Sequence, residues 1–343
     1  MTIKDIAKKA RVSIGTVDRV IHKRGRVSRA TEEKVRLILE EMQYKPNAFA
    51  QNLKRTRVFT FGILTPEPPQ DGGYWEIPMA GIEKAGRDFQ SYNIRTQAYH
   101  FDRYSEASFV EAGDQALADR VDGLVIAPVL PRATERFITK FPPGLAFVFI
   151  DSSVPTVEPL SFIGQDPFKG GVLAASLMKN IIREGMDVAV LRVLPEDYHI
   201  DQRAAGFIAH YRACGIAPVF TISMQGEESP SLFTKRFAAQ IESLPDLEGI
   251  FVTDASMHRI VGALQEIRSD RKFRLIGYDL IPRNVRLLRE GLIDFLISQK
   301  PDHQGYRSID CLCRHFLFRE KVENRIMMPL DILTRENIDY YQY

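Results

Sequence analysis

The chain has 343 residues, 45% of them hydrophobic and 26% charged, a length that favours two or three domains over a single core. Its longest apolar runs, such as Leu145 to Ile150, stop far short of the ~20 residues a membrane helix needs, so no membrane partner is expected. The net charge of +2 conceals a split: residues 1–57 hold 15 Lys and Arg against 6 Asp and Glu, and the remainder holds 31 against 38. A basic head on a mildly acidic body fits nucleic-acid contact at one end.

In the head, Ile3, Ile6, Ala7 and Ala10 mark one face of a first helix. A break at Arg11-Val12 follows, and Ser13 is placed to cap a second helix with the apolar stripe Val17, Val20 and Ile21, spaced i, i+3, i+4. That spacing turns Ile14, Gly15, Asp18, Arg19 and His22 outward. Ser28 opens a third helix with Glu32 and Glu33 in its first turn, as the helix dipole favours, and with Val35, Ile38, Leu39 and Met42 as its apolar face. Three short helices led by a helix-turn-helix form a DNA-reading unit.

The stretch from "TIKDIAKKARVSIGTVDRV" through "YKPN" to "A..LK" resembles the headpiece of the lactose/galactose-repressor (LacI/GalR) family. The resemblance implies that the second helix lies in the major groove, with Ile14, Gly15 and Arg19 at base-reading positions. Ser13, Thr16, His22, Ser28 and Thr31 would stand near phosphates. Asn47 to Lys54 would be the hinge helix that orders on DNA, with Ala50 against the minor groove and Leu53 wedged between base pairs, an insertion that costs unstacking and bends the duplex. Two positions depart from the family pattern. Arg11 stands where glycine is common, so the turn must tolerate a Cβ. Asp18 stands where serine is common, and phosphates repel a carboxylate. It could accept from a cytosine amino group, or brace His22 or Arg11; the brace is favoured because a paired carboxylate loses less.

From Val58 the pattern changes to apolar runs alternating with amphipathic stretches. Residues 58–64, 121–128, 145–151, 188–193, 249–254 and 273–279 read as buried parallel strands. Helices are expected over Met79–Ser91, Phe109–Asp119, Gly170–Glu184, Arg203–Cys214 and Phe233–Leu244. Repeated βα units imply doubly wound sheets whose ligands bind beyond the carboxyl ends of the strands. No GxGxxG or Walker pattern is present, so no nucleotide cofactor is expected. Cys214, Cys311 and Cys313 have no metal or redox spacing and read as small buried apolar residues.

The body, through "FIGQDPFKGG", "DQRAAGF", "RLIGYD" and "ISQKPDHQGY", is similar to the periplasmic sugar-binding-protein fold that the same family uses as its effector domain. Fold class is therefore an all-α headpiece (1–46), a hinge (47–57) and an α/β body of two doubly wound subdomains (58–343). By position, the resemblance makes Arg203 and Asp279 paired clamps for vicinal hydroxyls, with Asp151 and Gln299 completing the ring and Asp254 or Ser256 adding a partner. Trp75, the single tryptophan, and Tyr74 would stack on a sugar face, and Phe233 would close the pocket. Gln165-Asp166 reads as a cap at a subdomain crossover. Carboxylates balanced by few cations suit a neutral sugar or polyol. A sugar phosphate served by Lys169, or a purine, is the alternative. No catalytic or metal-ligand spacing appears among the histidines, His199 included. The expectation is a cytoplasmic, homodimeric, effector-controlled DNA-binding regulator, a repressor acting at a pseudo-palindromic operator, without cofactor or catalytic activity.

Overall fold

In the computed structural model the described residues are 3–21, 25, 27–42, 57–194, 197–215, 219–226, 229–267 and 271–341. The chain divides into two units, Met1–Thr56 and Arg57–Tyr343.

The first unit holds α1 (Ile3–Ala10), α2 (Ile14–Ile21) and α3 (Arg29–Glu41). Their apolar faces close on Ile6, Ala7, Ala10, Val17, Val35 and Ile38, with Val20, Ile21, Leu39 and Met42 packed at the margin. The break after α1 is a Schellman turn. Arg11 adopts φ 54°, its N–H reaches the Lys8 carbonyl at 3.3 Å, and the Val12 N–H reaches the Ala7 carbonyl at 3.1 Å. Those two bonds satisfy carbonyls that the helix end would leave open. A left-handed residue with a Cβ costs about 1–2 kcal/mol, and that is how the turn accommodates an arginine. Two matched caps follow. The Ser13 hydroxyl oxygen accepts from the Thr16 N–H at 3.1 Å, and Ser28 accepts from the Thr31 N–H at 3.3 Å. His22, Asn47, Ala50, Leu53 and Lys54, and with them the expected hinge helix, lie outside the described residues.

The second unit contains β1 (Phe59–Pro66), β2 (Ile94–Phe101), β3 (Gly123–Ile126), β4 (Ala146–Ile150), β5 (Ser161–Gly164) and β6 (Asp187–Leu194). β7 (Val219–Gln225), β8 (Leu247–Val252), β9 (Arg274–Tyr278), β10 (Phe295–Ser298), β11 (Arg325–Met327) and β12 (Asp331–Leu333) complete the strands. Helices α4 (Glu76–Asp88), α5 (Glu106–Ala118), α6 (Pro131–Ile138), α7 (Pro167–Lys179), α8 (Tyr198–Ala213) and α9 (Pro230–Glu242) connect them, followed by α10 (Met257–Ile267), α11 (Pro282–Arg289) and α12 (Pro301–Cys313). One sheet runs β11-β5-β4-β3-β1-β2 and the other β12-β10-β9-β8-β6-β7. All pairs are parallel except β10 with β12. Two lobes therefore repeat one doubly wound design.

Each lobe locks its first helix to the helix that follows a crossover from the other lobe. In the N-terminal lobe a Cβ on Gly81 of α4 would lie 1.9 Å from the Asp302 carbonyl oxygen, and one on Gly305 of α12 would lie 2.0 Å from that of Pro78. In the C-terminal lobe Gly171 of α7 meets Arg203 and Gly206 of α8 meets Phe168 at the same separations. Only glycine lets backbones approach so closely.

Three crossovers join the lobes: β5 to α7, β10 to α12, and β11 to β12. The Gln165 side-chain amide in the first donates to the Ser298 carbonyl of the second at 2.8 Å and to the Pro329 carbonyl of the third. Asp166 caps α7, its carboxylate accepting from the Lys169 N–H at 3.0 Å. Both residues thus serve the crossover, as their position in the sequence indicates. Cys311 and Cys313 are buried, and burial pushes the Cys311 thiol up to about 11. Cys214 differs from expectation: it is exposed just past the end of α8.

Candidate functional site

The carboxyl ends of strands in both lobes face one cleft. The N-terminal lobe contributes Asp71, Tyr74 and Trp75 after β1, Arg103 after β2, and Asp151 and Ser152 after β4. The C-terminal lobe contributes Asp197, His199 and Arg203 at the start of α8, Asp254 after β8, Asp279 after β9 and Gln299 after β10. Asp151 and Asp279 hold equivalent places in the two lobes, and both are left-handed, with φ of 68° and 67°. Aspartate tolerates that region better than most side chains, and strain of this kind survives only where the surroundings hold it. The holders are visible. Gln304 of α12 accepts from the Asp151 N–H at 2.8 Å and donates to the Gln299 carbonyl at 3.0 Å. The Asn284 side-chain amide lies 3.0, 3.2 and 3.1 Å from the carbonyls of Ala255, Tyr278 and Asp279.

Charges in the cleft are nearly all out of water and arranged in chains. The Tyr74 hydroxyl donates to Asp151 at 2.6 Å. The Ser152 hydroxyl crosses between lobes to donate to Asp197 at 2.7 Å. His199 Nδ1 stands 2.6 Å from Asp197 and 3.8 Å from Asp151. Arg103 pairs with Asp71 and reaches toward Asp197 at 4.0 Å. Arg203 donates to the Thr253 carbonyl at 2.8 Å and to Gln299 at 3.1 Å, and Gln299 donates in turn to Asp279 at 2.9 Å. Its guanidinium lies 3.6 Å from the centre of the Tyr278 ring. The expected Arg203 and Asp279 clamp is therefore bridged by the Gln299 amide.

Burial and pairing set the protonation of these groups. Burial, reinforced by the Asp151 charge and opposed by Arg203, pushes Asp279 up to about 7. Burial also raises Asp254. For Asp197 burial works toward a higher value, but His199, Arg103 and the Ser152 hydroxyl outweigh it and hold the carboxyl below its ordinary range. For His199 burial works toward a lower value, and the carboxylates of Asp197 and Asp151 reverse it. Burial first, then the Asp151 charge, raises Tyr74.

Asp151, Asp197 and His199 bring one ligand atom each within 4.8 Å of one another, the one such group among the described residues. Arg103 and Arg203 act on the same carboxylates, so protein cations already occupy the role a metal ion would take.

Of the residues expected from sequence, Tyr74, Trp75, Asp151, Asp254, Asp279 and Gln299 line the cleft cavity, and Arg203 stands behind it. Trp75 is 1% exposed, its indole N–H donating to Asp71 at 2.8 Å and its ring edge-on to Tyr74 at 5.0 Å. Ser256 caps the carboxylate instead of lining the cavity: its backbone N–H donates to Asp254 at 2.9 Å, and Asp254 is the cleft residue of the two. Phe233 lies elsewhere. It is buried in the apolar core of the C-terminal lobe, under the Arg259 guanidinium at 4.0 Å, because α9 turns that face inward. Asp71, Arg103, Asp197 and His199 escaped the sequence reading. Asp197 and His199 carried a weak signal, a cap residue two positions before a histidine. Between the lobes the remaining space measures about 20 Å³, room for about one water molecule.

On the head, Ile14 is 48% exposed, Ser13, Gly15 and Arg19 are exposed, and Thr16 and Asp18 are half-buried around the buried Val17. The face opposite the core is thus apolar at Ile14, bare at Gly15 and cationic at Arg19.

Two doubly wound lobes closing on a polar cleft through three crossovers define a two-lobed binding protein. Residues 62–319 match the model of the periplasmic binding protein domain, and residues 2–47 match that of bacterial regulatory proteins of the lacI family. A Bacteroides fragilis chain assigned as a LacI transcriptional regulator is 30% identical, with a TM-score of 0.78 over 83% of this chain and 100% of that one. The xylose/arabinose-binding protein XylF of Sulfolobus acidocaldarius is 23% identical over 66% of this chain and 60% of its own length. The sucrose operon repressor of Lactococcus lactis is 29% identical over 52% of each. The chain thus spans between half and two thirds of those two relatives. It belongs to the lacI family of bacterial regulatory proteins, with a periplasmic binding protein domain as its body.

Proposed function

We propose that the protein is a sequence-specific DNA-binding transcriptional regulator, a repressor in its simplest form, whose DNA affinity is set by a neutral sugar or polyol held between the lobes. The observation that carries this reading is the pairing of a capped, solvent-facing recognition helix, with Ile14, Gly15 and Arg19 outward, with a buried ring of carboxylate, guanidinium and amide groups in the body. Each ring member offers a donor or an acceptor to a hydroxyl, which needs both. A phosphorylated effector finds less support, since Lys169 is exposed and Asp166 already caps α7. A homodimer would present two heads to a two-fold related site, with Asn47, Ala50, Leu53 and Lys54 as the hinge and Ser13, Thr16, His22, Ser28 and Thr31 at phosphates. Asp71, Asp151 and Asp197 are held by arginine, tyrosine and histidine, Asp279 by the Gln299 amide and Asp254 by the Ser256 N–H. That arrangement favours a binding role over the free acid and base of glycoside chemistry; the reading places this binding protein in the cytoplasm.

The test selects bound sequences from random duplex DNA with the full chain, then titrates the selected site with and without a sugar panel at several salt concentrations. A steep fall of affinity with salt, loss of binding on removing residues 1–57 and a shift with one sugar are expected. Salt-independent or sequence-indifferent binding would overturn the regulator; product formation from any sugar would make it an enzyme. For Asp18, Asp18→Asn should leave the selected sequence unchanged if the carboxylate is a brace, whereas a changed preference at one cytosine assigns it to base reading.

A further inference from the structure

The cleft does not end at its polar ring. Asp151 and His199 line the small interlobe space and also a second cavity of about 210 Å³. That cavity shares Ser153, Phe162 and Arg325 with a third, of about 490 Å³, on the β5–β11 side of the N-terminal lobe. Three spaces are thus adjacent, each sharing wall residues with the next, and the one farthest from the buried carboxylates is the largest of the three.

From this continuity we propose that the effector is a glycoside or short oligosaccharide, with one sugar ring between the lobes and the next ring or rings in the outer channel. This rests on the sugar reading of the cleft and specifies its size. The chemistry of the channel supports it. Phe168 and Tyr198 line it, and so do Ser153, Gln202 and Arg325, which bring hydroxyl, amide and guanidinium groups to the same cavity. A ring stacks its C–H face on such aromatics while its hydroxyls find polar partners at the rim.

Phe168 is 37% exposed in the first turn of α7, while Gly170, Gly171, Ala174 and Ala175 of the same helix are buried. It is therefore not spent on the core. Its backbone is fixed all the same, because a Cβ on Gly206 would lie 2.0 Å from its carbonyl oxygen. Tyr198 opens α8, whose N-terminal cap is Asp197. The two aromatic residues thus sit on the first turns of two helices locked together by glycine contacts, so their spacing is set before any ligand arrives. A platform fixed in advance loses little entropy on binding. The interlobe space of about 20 Å³ is far below the ~300–1,000 Å³ of ordinary ligand pockets, so a ring enters it only as the lobes part, whereas the outer spaces of about 210 and 490 Å³ stand open already.

The experiment is calorimetric titration of the full chain with matched pairs: glucose and cellobiose, xylose and xylobiose, arabinose and arabinobiose. In one pair or more the disaccharide should bind at least tenfold tighter than its monosaccharide. Phe168→Ala should lower the disaccharide's affinity five- to tenfold and leave the monosaccharide's within twofold, and Phe168→Tyr should restore it. A monosaccharide that binds as tightly as its disaccharide overturns the channel and leaves the cleft reading standing. So does a Phe168→Ala variant that weakens both members equally. Binding by neither member of any pair overturns both readings together.

Discussion

In the head, charged groups stand in water: Arg19 is exposed, and Lys9 pairs with Glu41 at 2.8 Å with both side chains largely solvated. In the cleft, Arg103, Asp197, Arg203 and Asp279 are all at most 7% exposed, and each is held by at least one partner from another segment. The same residue types therefore carry different energetic weight. A solvated pair is screened and can lose a member at little cost. A buried group removed from its chain leaves the other charges stranded in a poor solvent. The head can vary its contact residues without endangering its fold, whereas the cleft cannot vary one charge without disturbing several.

The largest break of that contrast should come from Arg103→Leu, which removes the cation paired with buried Asp71 and one of the two cations near Asp197. A loss of about 3–5 kcal/mol is expected in urea unfolding followed by Trp75 fluorescence, which reports the body alone because the head has no tryptophan. A loss below about 1 kcal/mol would mean that cleft charges behave like surface charges. Asp279→Asn should act next and in a pH-dependent way. Burial raises Asp279 from 3.8 to about 7, so the native state holds this proton more firmly than the unfolded chain. Its contribution to stability is complete below pH 3.8 and is lost as pH rises through 7. The variant should unfold at higher urea than the parent at pH 8, with the gap shrinking as pH falls toward 4. His199, also raised, would keep a residual slope of the same sign.

The head supplies smaller tests. Ser13→Ala removes the cap on α2 and should cost about 1 kcal/mol, read by far-ultraviolet circular dichroism of residues 1–57 in thermal melts. Arg11→Gly should shift the same melt the opposite way, by about 1 kcal/mol, because glycine relieves the left-handed strain. Lys9→Ala should stay within about 0.5 kcal/mol.

The contrast also decides what the sequence discloses. In the head, caps, apolar stripe and outward face lie within one or two helical turns of each other, and periodicity places Ser13, Val17, Ser28 and Val35 where they are found. In the body the six apolar runs correspond to β1, β3, β4, β6, β8 and β9. The edge strands β2 and β7 were missed because their burial alternates along the strand, so no apolar run marks them. The expected helices begin three to five residues late, since Ser105, Asp166, Asp197 and Ser229 set the starts and the first turns carry few apolar residues. Among cleft residues, the strand-end aspartates were legible from position. Arg103 was not, because its partners Asp71 and Asp197 come from other connections; His199 had a local signal only toward Asp197, two residues before it, and none toward Asp151.

The Gln165 amide, which ties all three crossovers at one point, makes the hinge behave as a single axle with one bolt. Withdrawing that bolt, as in Gln165→Ala, leaves both ends of the molecule chemically intact. Each strand of the hinge would then be free to bend on its own schedule, so the lobes could close by twisting as readily as by folding. Under the proposed function, what would be lost is fidelity of transmission: effector and DNA would each still be bound, while the coupling between the two would fall.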